Sequence, residues 1–453
     1  MKDLTKDRFS LKSSLLFIIP SLIGIVLFMI PISFNGEITI PVAILSKFLA
    51  KALGDSLTFI ITIAICISAI VSVITKIFKP KFIIENEFLN TLFNPSTIWF
   101  IARIIGAVFC VLALLKFGPG FIINESTGSF VLNDLLTILF TIFFFAGLLL
   151  PLLLNFGLLE FFGAVLTKVM RPIFTLPGRS SIDCITSWLG DGTLGIILTN
   201  KQYEEGFYSK REAAIISTTF SAVSITFSLI VIDTVGLSHL FIPFYLTVSI
   251  SGVIAAIIIP RIYPLCKIPD TYYNNQEKKD DESIPEGYSS FSWGYKKAID
   301  KASETSDIKH FFIDGFKNVI DMWLGVLPVV MALATIALII AEYTSVFQIL
   351  GLPFIPYLKL LQVPEAVAAS QTLVVGFADM LLPSVLAANT IASDMTKFIV
   401  ACTSVSQLIY MSEVGGVLLG SKIPVSLKQL LIIFIERTII TLPVIVIAAN
   451  IIF

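Results

Sequence analysis

Ser187-Trp188-Leu189-Gly190-Asp191-Gly192-Thr193-Leu194-Gly195 and Gly376-Phe377-Ala378-Asp379-Met380-Leu381-Leu382-Pro383 are polar stretches, broken by glycine or proline, set inside apolar sequence. Each carries an acid where a membrane segment can least accommodate one. The two acids lie 379 − 191 = 188 residues apart, and the flanks repeat at nearly the same interval. Pro177 answers Pro364, Arg211 answers Lys397, and Ser217, Ser221 and Ser224 answer Thr403, Gln407 and Tyr410. The spacing marks an internal duplication. Unwound backbone at membrane depth persists only where it lines a protected cavity, so matching interruptions in two halves point to the binding site of a membrane carrier.

The composition sets the surroundings of these stretches. The chain is 56% hydrophobic and 14% charged, against roughly 25% charged in soluble domains, and its mean hydropathy is +0.92. This is the make-up of a polytopic membrane protein. A formal charge of −1 supplies no basic field for nucleic acid, which is excluded as a partner. Cys66, Cys110, Cys184, Cys266 and Cys402 are widely spaced, form no C-x-x-C pair and lie mostly in apolar runs, so neither a disulfide nor a metal site is expected. His239 and His310 flank apolar segments and are expected at the membrane interface. The apolar run from Leu15 follows a basic flank, contains Pro20 and Pro31, and lacks a small-x-small cleavage site, so it reads as an uncleaved first span.

About 20 apolar residues cross a bilayer as a helix. On that length the spans fall near 14–32, 56–78, 97–117, 131–154, 211–233, 240–262, 318–342, 396–418 and 428–452. The fold expected is all-α, with about nine spans plus two re-entrant hairpins. Lys and Arg favour cytoplasmic loops, and Lys76, Lys79, Lys81, Lys168, Arg171, Arg179, Lys201, Lys210, Arg211, Arg261, Lys267, Lys422 and Lys428 all fall on the side of the N-terminal tail. Loops 118–130 and 234–239, without Lys or Arg, belong outside; Lys47, Lys51, Lys359 and Lys397 are the exceptions. A multi-pass protein of a bacterial inner membrane follows, N-terminus cytoplasmic and C-terminus outside. The stretch 180–205 then enters from inside and 364–394 from outside, which makes the repeat inverted. The expected division is scaffold spans over 1–130, one repeat over 131–264, a cytoplasmic linker over 265–317 and a second repeat over 318–453. Part of that linker, 267–310, is polar and charged, and reads either as a solvated connector or, from Trp293 to Phe316, as a segment along the membrane surface.

An ionised Asp at a helix centre costs roughly 2.5–3.5 kcal/mol on insertion scales, so one kept there has a partner or a cavity. Asp191 and Asp379 are the leading candidates, although an acid at a hairpin tip also caps the backbone N–H groups of the returning arm. Thr193 lies beside the first. Ser217, Ser221, Ser224 and Ser228 fall at helical spacing on one face, and Thr403, Gln407 and Tyr410 continue towards Glu413 in the other repeat. For a single Ser or Thr the commoner fate is a bond back to its own helix carbonyl. The candidate substrate-binding set is Asp191, Thr193, Ser217, Ser221, Asp379, Thr403, Gln407 and Tyr410, with Glu413 and Asp379 as candidates for a coupling Na⁺ or H⁺. No cofactor is expected. Arg437 reads as a partner of Glu436 or as a side chain reaching for lipid headgroups. Three enzyme-like motifs fail. The Gly190-to-Gly195 string spells G-x-G-x-x-G without a preceding strand, no G-x-x-x-x-G-K-[ST] loop exists, and both acids lack the G-x-G-D surroundings of an intramembrane protease.

Several strings resemble a known family: Asp191-Gly192-Thr193-Leu194-Gly195, Lys201-Gln202-Tyr203-Glu204, Arg211-Glu212-Ala213, Ala378-Asp379, Leu382-Pro383 and above all Ser406-Gln407-Leu408-Ile409-Tyr410-Met411-Ser412-Glu413-Val414-Gly415. They resemble the YjiH-like bacterial membrane proteins, which carry the nucleoside-recognition Gate domain. The resemblance extends over nearly the whole chain. It implies two Gate units, each a re-entrant hairpin followed by a partly unwound helix, and a kinship with concentrative nucleoside transporters, ferrous iron transporter B and spore maturation proteins. The G-Q-T-E-type hairpin and N-V-F-type broken helix of the nucleoside carriers are not found in this chain. The expected function is secondary transport of a small polar metabolite, whether nucleoside, amino acid or short peptide, by alternating access. The alternative is a non-transporting membrane scaffold or signalling protein built on Gate domains. A homo-oligomer is compatible with either.

Overall fold

A computed structural model describes residues 11–30, 32–34, 37–190, 192–220, 223, 225–276, 283–304 and 308–453, and these are almost wholly helical. Ser56–Phe78, Thr97–Leu115, Gly120–Leu154, Ser238–Lys267, Phe311–Tyr343 and Leu427–Ile452 are long and apolar enough to cross a bilayer. Gly120–Leu154 and Phe311–Tyr343 are the inner pair, with 56% and 67% of their apolar windows buried by protein against 28% for Thr97–Leu115. Outer helices turn Phe59, Ile70, Ile98, Ile242 and Ile447 outwards, the surface expected to meet lipid. Without a hydrophobic drive between helices in lipid, close backbone approach supplies much of the packing. Gly106 shows it: a Cβ there would collide with the Pro328 carbonyl of the inner helix. A short antiparallel ribbon, Ile32–Phe34 with Glu37–Thr39, holds the only β-strands among the described residues.

Two segments expected as continuous spans are split. Residues 211–233 form Lys210–Thr219 and Ile225–Thr234, and residues 396–418 form Asp394–Gln407 and Val414–Gly420. The partly unwound helix implied by the resemblance is therefore present twice. The break also corrects the reading of Ser217, Ser221, Ser224 and Ser228 as one helical face, because that spacing aligns residues only along an unbroken helix. Each first half starts at a serine cap. Ser209 and Glu212 form a reciprocal capping box, and Ser393 accepts from the Thr396 amide at 3.3 Å.

Each broken helix follows a hairpin. In the first hairpin, Ser180–Ile185 runs through a π-helical turn at Thr186–Gly190 and returns as Gly192–Glu204. In the second, Ala366–Leu373 and a 3₁₀ turn at Val374–Phe377 return as Leu382–Thr390. Both hairpins are pinned at matching places, since 365 − 179 = 186. At the first, buried Arg179 donates to Gln202 at 2.8 Å, and Gln202 Nε2 donates in turn to Asp183 at 2.8 Å. Tyr208 also donates to Asp183. At the second, Glu365 accepts from the amides of Ala392 and Ser393, the latter at 2.7 Å.

The two units interlock. Each first half-helix packs on its own hairpin, whereas Ile225–Thr234 packs against Leu382–Thr390 of the second hairpin, and Val414–Gly420 packs against Gly192–Glu204 of the first. The helix Ser290–Glu304, within the segment expected as linker, docks on Leu158–Phe174 and on the first helix, Leu11–Met29, and buries Ala298, Ile299 and Ala302. That stretch is part of the packed protein rather than a solvated connector.

Candidate functional site

The interlocking brings four irregular backbone segments to one cavity of about 360 Å³. Gly192 comes from the first hairpin tip, and Asp379, Met380 and Leu381 from the second. Val223 comes from the first helix break and Phe227 from the half-helix that follows it, and Leu408, Tyr410, Ser412 and Glu413 come from the second break with Val414 at the start of its half-helix. The inner helix adds Asp134, Leu135, Ile138, Leu139 and Ile142. A few convergent polar groups in an otherwise apolar hollow of this size is the usual form of a small-molecule site.

Polarity divides between the walls. The second repeat contributes Asp379, Tyr410, Ser412 and Glu413, whereas the first lines the cavity with Val223, Phe227, Ile230 and the inner-helix residues, among which Asp134 is the one acid. The contrast is a substitution within the duplication: 413 − 186 = 227, so Phe227 stands where the second repeat has Glu413. A ligand with a polar edge and an apolar or aromatic face fits such walls.

The second tip and the second break are held together through backbone. Met411 and Ser412 amides donate to the carbonyls of Phe377 and Ala378 at 2.8 and 2.9 Å, so the unwound segment finds its partners on the hairpin. Asp379 completes the junction, accepting from the Leu381 amide and from Ser412 Oγ, both at 2.8 Å. Leu408 turns the chain with φ +66, a left-handed conformation that a leucine adopts at a cost, here inside the break.

The remaining sequence candidates are placed as follows. Tyr410 lines the cavity and its hydroxyl donates to the Val405 carbonyl at 3.2 Å. Gln407 is buried behind the break, where Nε2 donates to the Leu373 carbonyl at 2.8 Å and to Thr438 Oγ1 at 2.9 Å. Thr403 donates to the Ile399 carbonyl of its own helix at 2.7 Å. Thr193 is buried in the returning arm of the first hairpin, and Ser217 is buried with no hydrogen-bond partner for its Oγ among the described residues. Asp191 and Ser221 lie outside the described residues. Sequence reasoning missed Ser412 and Asp134, both small polar neighbours of better signals. It also misplaced Arg437, which neither pairs with Glu436 nor reaches for lipid. Arg437 is buried and donates to the carbonyls of Ser406, Thr218 and Thr219 at 2.9, 3.3 and 3.1 Å.

A second, charged chamber of about 560 Å³ lies further along the same helices. It is lined by Lys201, Glu204, Asp321, Lys317 and Lys422 among others. Next to it, Phe143, Ile196, Val326 and Val417 form a collar around a void of about 30 Å³ that also touches Lys201, Glu204 and Asp321 of the charged chamber. From Gly192 in the central cavity to Ile196 in this collar is four residues of one helix, about 6 Å of rise. Among the described residues no group of three or more His, Cys, Asp or Glu side chains is placed to hold a metal ion.

Hairpin tips and helix breaks facing one cavity define a multi-pass membrane protein of transporter-like architecture. Residues 136–238 match the Gate family, described as nucleoside recognition. An uncharacterized protein of Alkalihalophilus pseudofirmus is 50% identical over 448 residues, covering 99% of this chain and 96% of that relative. The chain belongs to the same family, the YjiH-like membrane proteins with a Gate domain. Among solved structures, two CNTnw variants in an outward-facing state align over 95% and 90% of this chain and 96% and 95% of theirs. They share 14% and 13% identity with it, at TM-scores of 0.31 and 0.32.

Proposed function

We propose that the protein is a secondary transporter that carries a small polar organic solute by alternating access about the central cavity. The observation that supports it most is the meeting of both hairpin tips and both helix breaks at that cavity, since backbone is left unwound in a membrane where it serves a ligand. Asp379, Tyr410, Ser412 and Glu413 would hold the polar edge of the solute, and Phe227 with Ile138 and Leu139 its apolar face. Glu413 and Asp379 are the groups to carry a coupling H⁺ or to meet a Na⁺. The charged chamber would be the cytoplasmic vestibule and the constriction at Phe143, Ile196, Val326 and Val417 the closed gate before it, with the C-terminus outside. Nucleosides, which combine a hydroxylated sugar with an aromatic base, suit the divided walls, and amino acids or short peptides with apolar side chains suit them too.

The test is uptake into proteoliposomes offered a mixed pool of nucleosides, amino acids and dipeptides, read by mass spectrometry. Accumulation of one class above protein-free vesicles is expected, and Asp379→Asn together with Glu413→Gln should abolish it. Vesicles that accumulate nothing under either a sodium or a proton gradient would sink the reading.

A further inference from the structure

The two half-helices that end at the breaks, Lys210–Thr219 and Asp394–Gln407, bring their C-terminal ends to a single side chain. Arg437, from the middle of Leu427–Ile452, donates through Nε to the Ser406 carbonyl and through Nη1 to those of Thr218 and Thr219. These carbonyls belong to the last turns, where a helix has no partners of its own to offer them. A helix C-terminus also carries about half a negative elementary charge, so two such ends amount to about one, which one guanidinium balances. In carriers with broken helices, exposed carbonyls and half-helix C-termini are the groups that take a coupling cation. Here those groups already have a cation.

The duplication sharpens the point. The position answering Arg437 in the first repeat is 437 − 186 = 251, a serine, whose Oγ lies 3.1 Å from Ser406 Oγ. One repeat therefore supplies the charge for both breaks. A planar fork of donors suits this task better than an ammonium, because it serves carbonyls on two different helices at once.

We propose that Arg437 is a built-in cation occupying the place between the two half-helix ends that a coupling Na⁺ would otherwise take, so that the protein binds no Na⁺ at its helix breaks. The proposal rests on the carrier reading for its meaning, since it directs any ion coupling to the cavity carboxylates. Its test does not use flux. Thermal unfolding of purified protein is measured in Na⁺, Li⁺, K⁺ and choline chlorides at constant ionic strength, and in millimolar guanidinium. In an Asp379→Asn/Glu413→Gln background, which removes the two cavity carboxylates that could themselves meet Na⁺, the midpoint should be the same in all of them. Arg437→Ala should unfold several degrees lower and regain stability saturably with guanidinium or Na⁺, because ligand binding to the folded state alone raises its stability. A saturable Na⁺ response in that background, or an Arg437→Ala protein that answers to none of the cations, would overturn the proposal. If Arg437→Ala cannot be purified, the series in the Asp379→Asn/Glu413→Gln background decides alongside Arg437→Lys made in it, which keeps the charge and should likewise ignore Na⁺. Vesicles without flux would remove the transport reading and leave these midpoints as they are.

Discussion

Asp379 touches the hairpin, the broken helix and the cavity at once. Its carboxylate accepts from Leu381 N–H and Ser412 O–H, which orders the tip while leaving the group on the cavity wall. Hydrogen bonds to a charged group contribute about 1.5–3 kcal/mol, so Asp379→Asn, which turns one acceptor into a donor, should lower flux about ten- to a hundredfold. Ser412→Ala removes one of the two bonds and should lower it less. Glu413 sits on the same wall, and its position in the first repeat is Phe227. If Glu413 carries the proton, Glu413→Gln should give flux that no longer varies with external pH, while Asp379→Asn keeps the pH dependence of what flux remains. Transport assays across a pH series separate the two; equal pH profiles for wild type and Glu413→Gln would reject the role of Glu413. Asp379 and Glu413 were both legible in the sequence, since an acid inside an apolar segment is costly enough to need a reason. Thr403 was legible only as a polar residue on the right helix. Its hydroxyl is used by the Ile399 carbonyl, an outcome that spacing does not distinguish from a ligand contact.

At the level of elements, the second hairpin and the second broken helix behave as one piece. Gln407 ties the end of the Asp394–Gln407 half-helix to the Leu373 carbonyl in the first arm of the hairpin. Gly376 makes room for it, because a Cβ there would collide with Gln407 Oε1. The Gln407 side chain is the far end of a flexible group, yet its Nε2 is fixed by two hydrogen bonds. Gly376→Ala should therefore destabilise by about 1–3 kcal/mol, the usual range for overpacking. Gln407→Ala should also destabilise, and in the double variant the two losses should add to less than their sum. Thermal midpoints of the three variants check this, and strict additivity would show that the glycine and the glutamine do not interact. Hairpins and breaks were visible as Gly, Pro and polar residues interrupting apolar runs. The break itself was misread as a continuous span, because 211–233 and 396–418 are apolar enough and long enough to pass as one. Hydropathy measures the cost of placing a segment in lipid, and a helix broken inside protein satisfies that measure as well as a straight one.

For the molecule as a whole, the interlocked units hold the central cavity, the charged chamber and the small void lined by Phe143, Ile196, Val326 and Val417 along the same helices. On the inverted arrangement expected from the loop charges, the mouths of the cavity and the chamber would face opposite sides of the membrane. In a background without Cys66, Cys110, Cys184, Cys266 and Cys402, a cysteine at Asp134 should react with a membrane-impermeant maleimide from outside only, and one at Lys422 from the cytoplasmic side only. Labelling of both from one side of spheroplasts or inverted vesicles would contradict the inverted arrangement.

By itself the sequence determined that the chain is a helical multi-pass membrane protein and where its helices cannot stay regular. Apolar length, the cost of a buried acid and the backbone limits of Gly and Pro are local quantities, fixed by a residue and its near neighbours. Only the tertiary structure decided which of those irregular places meet. Arg437 joins carbonyls 31 and about 219 residues away in sequence, and the two hairpins each receive the second half-helix of the other unit. Periodicity assigns a residue to a face of its helix, whereas the neighbour that covers that face is chosen by how segments far apart in the chain pack together.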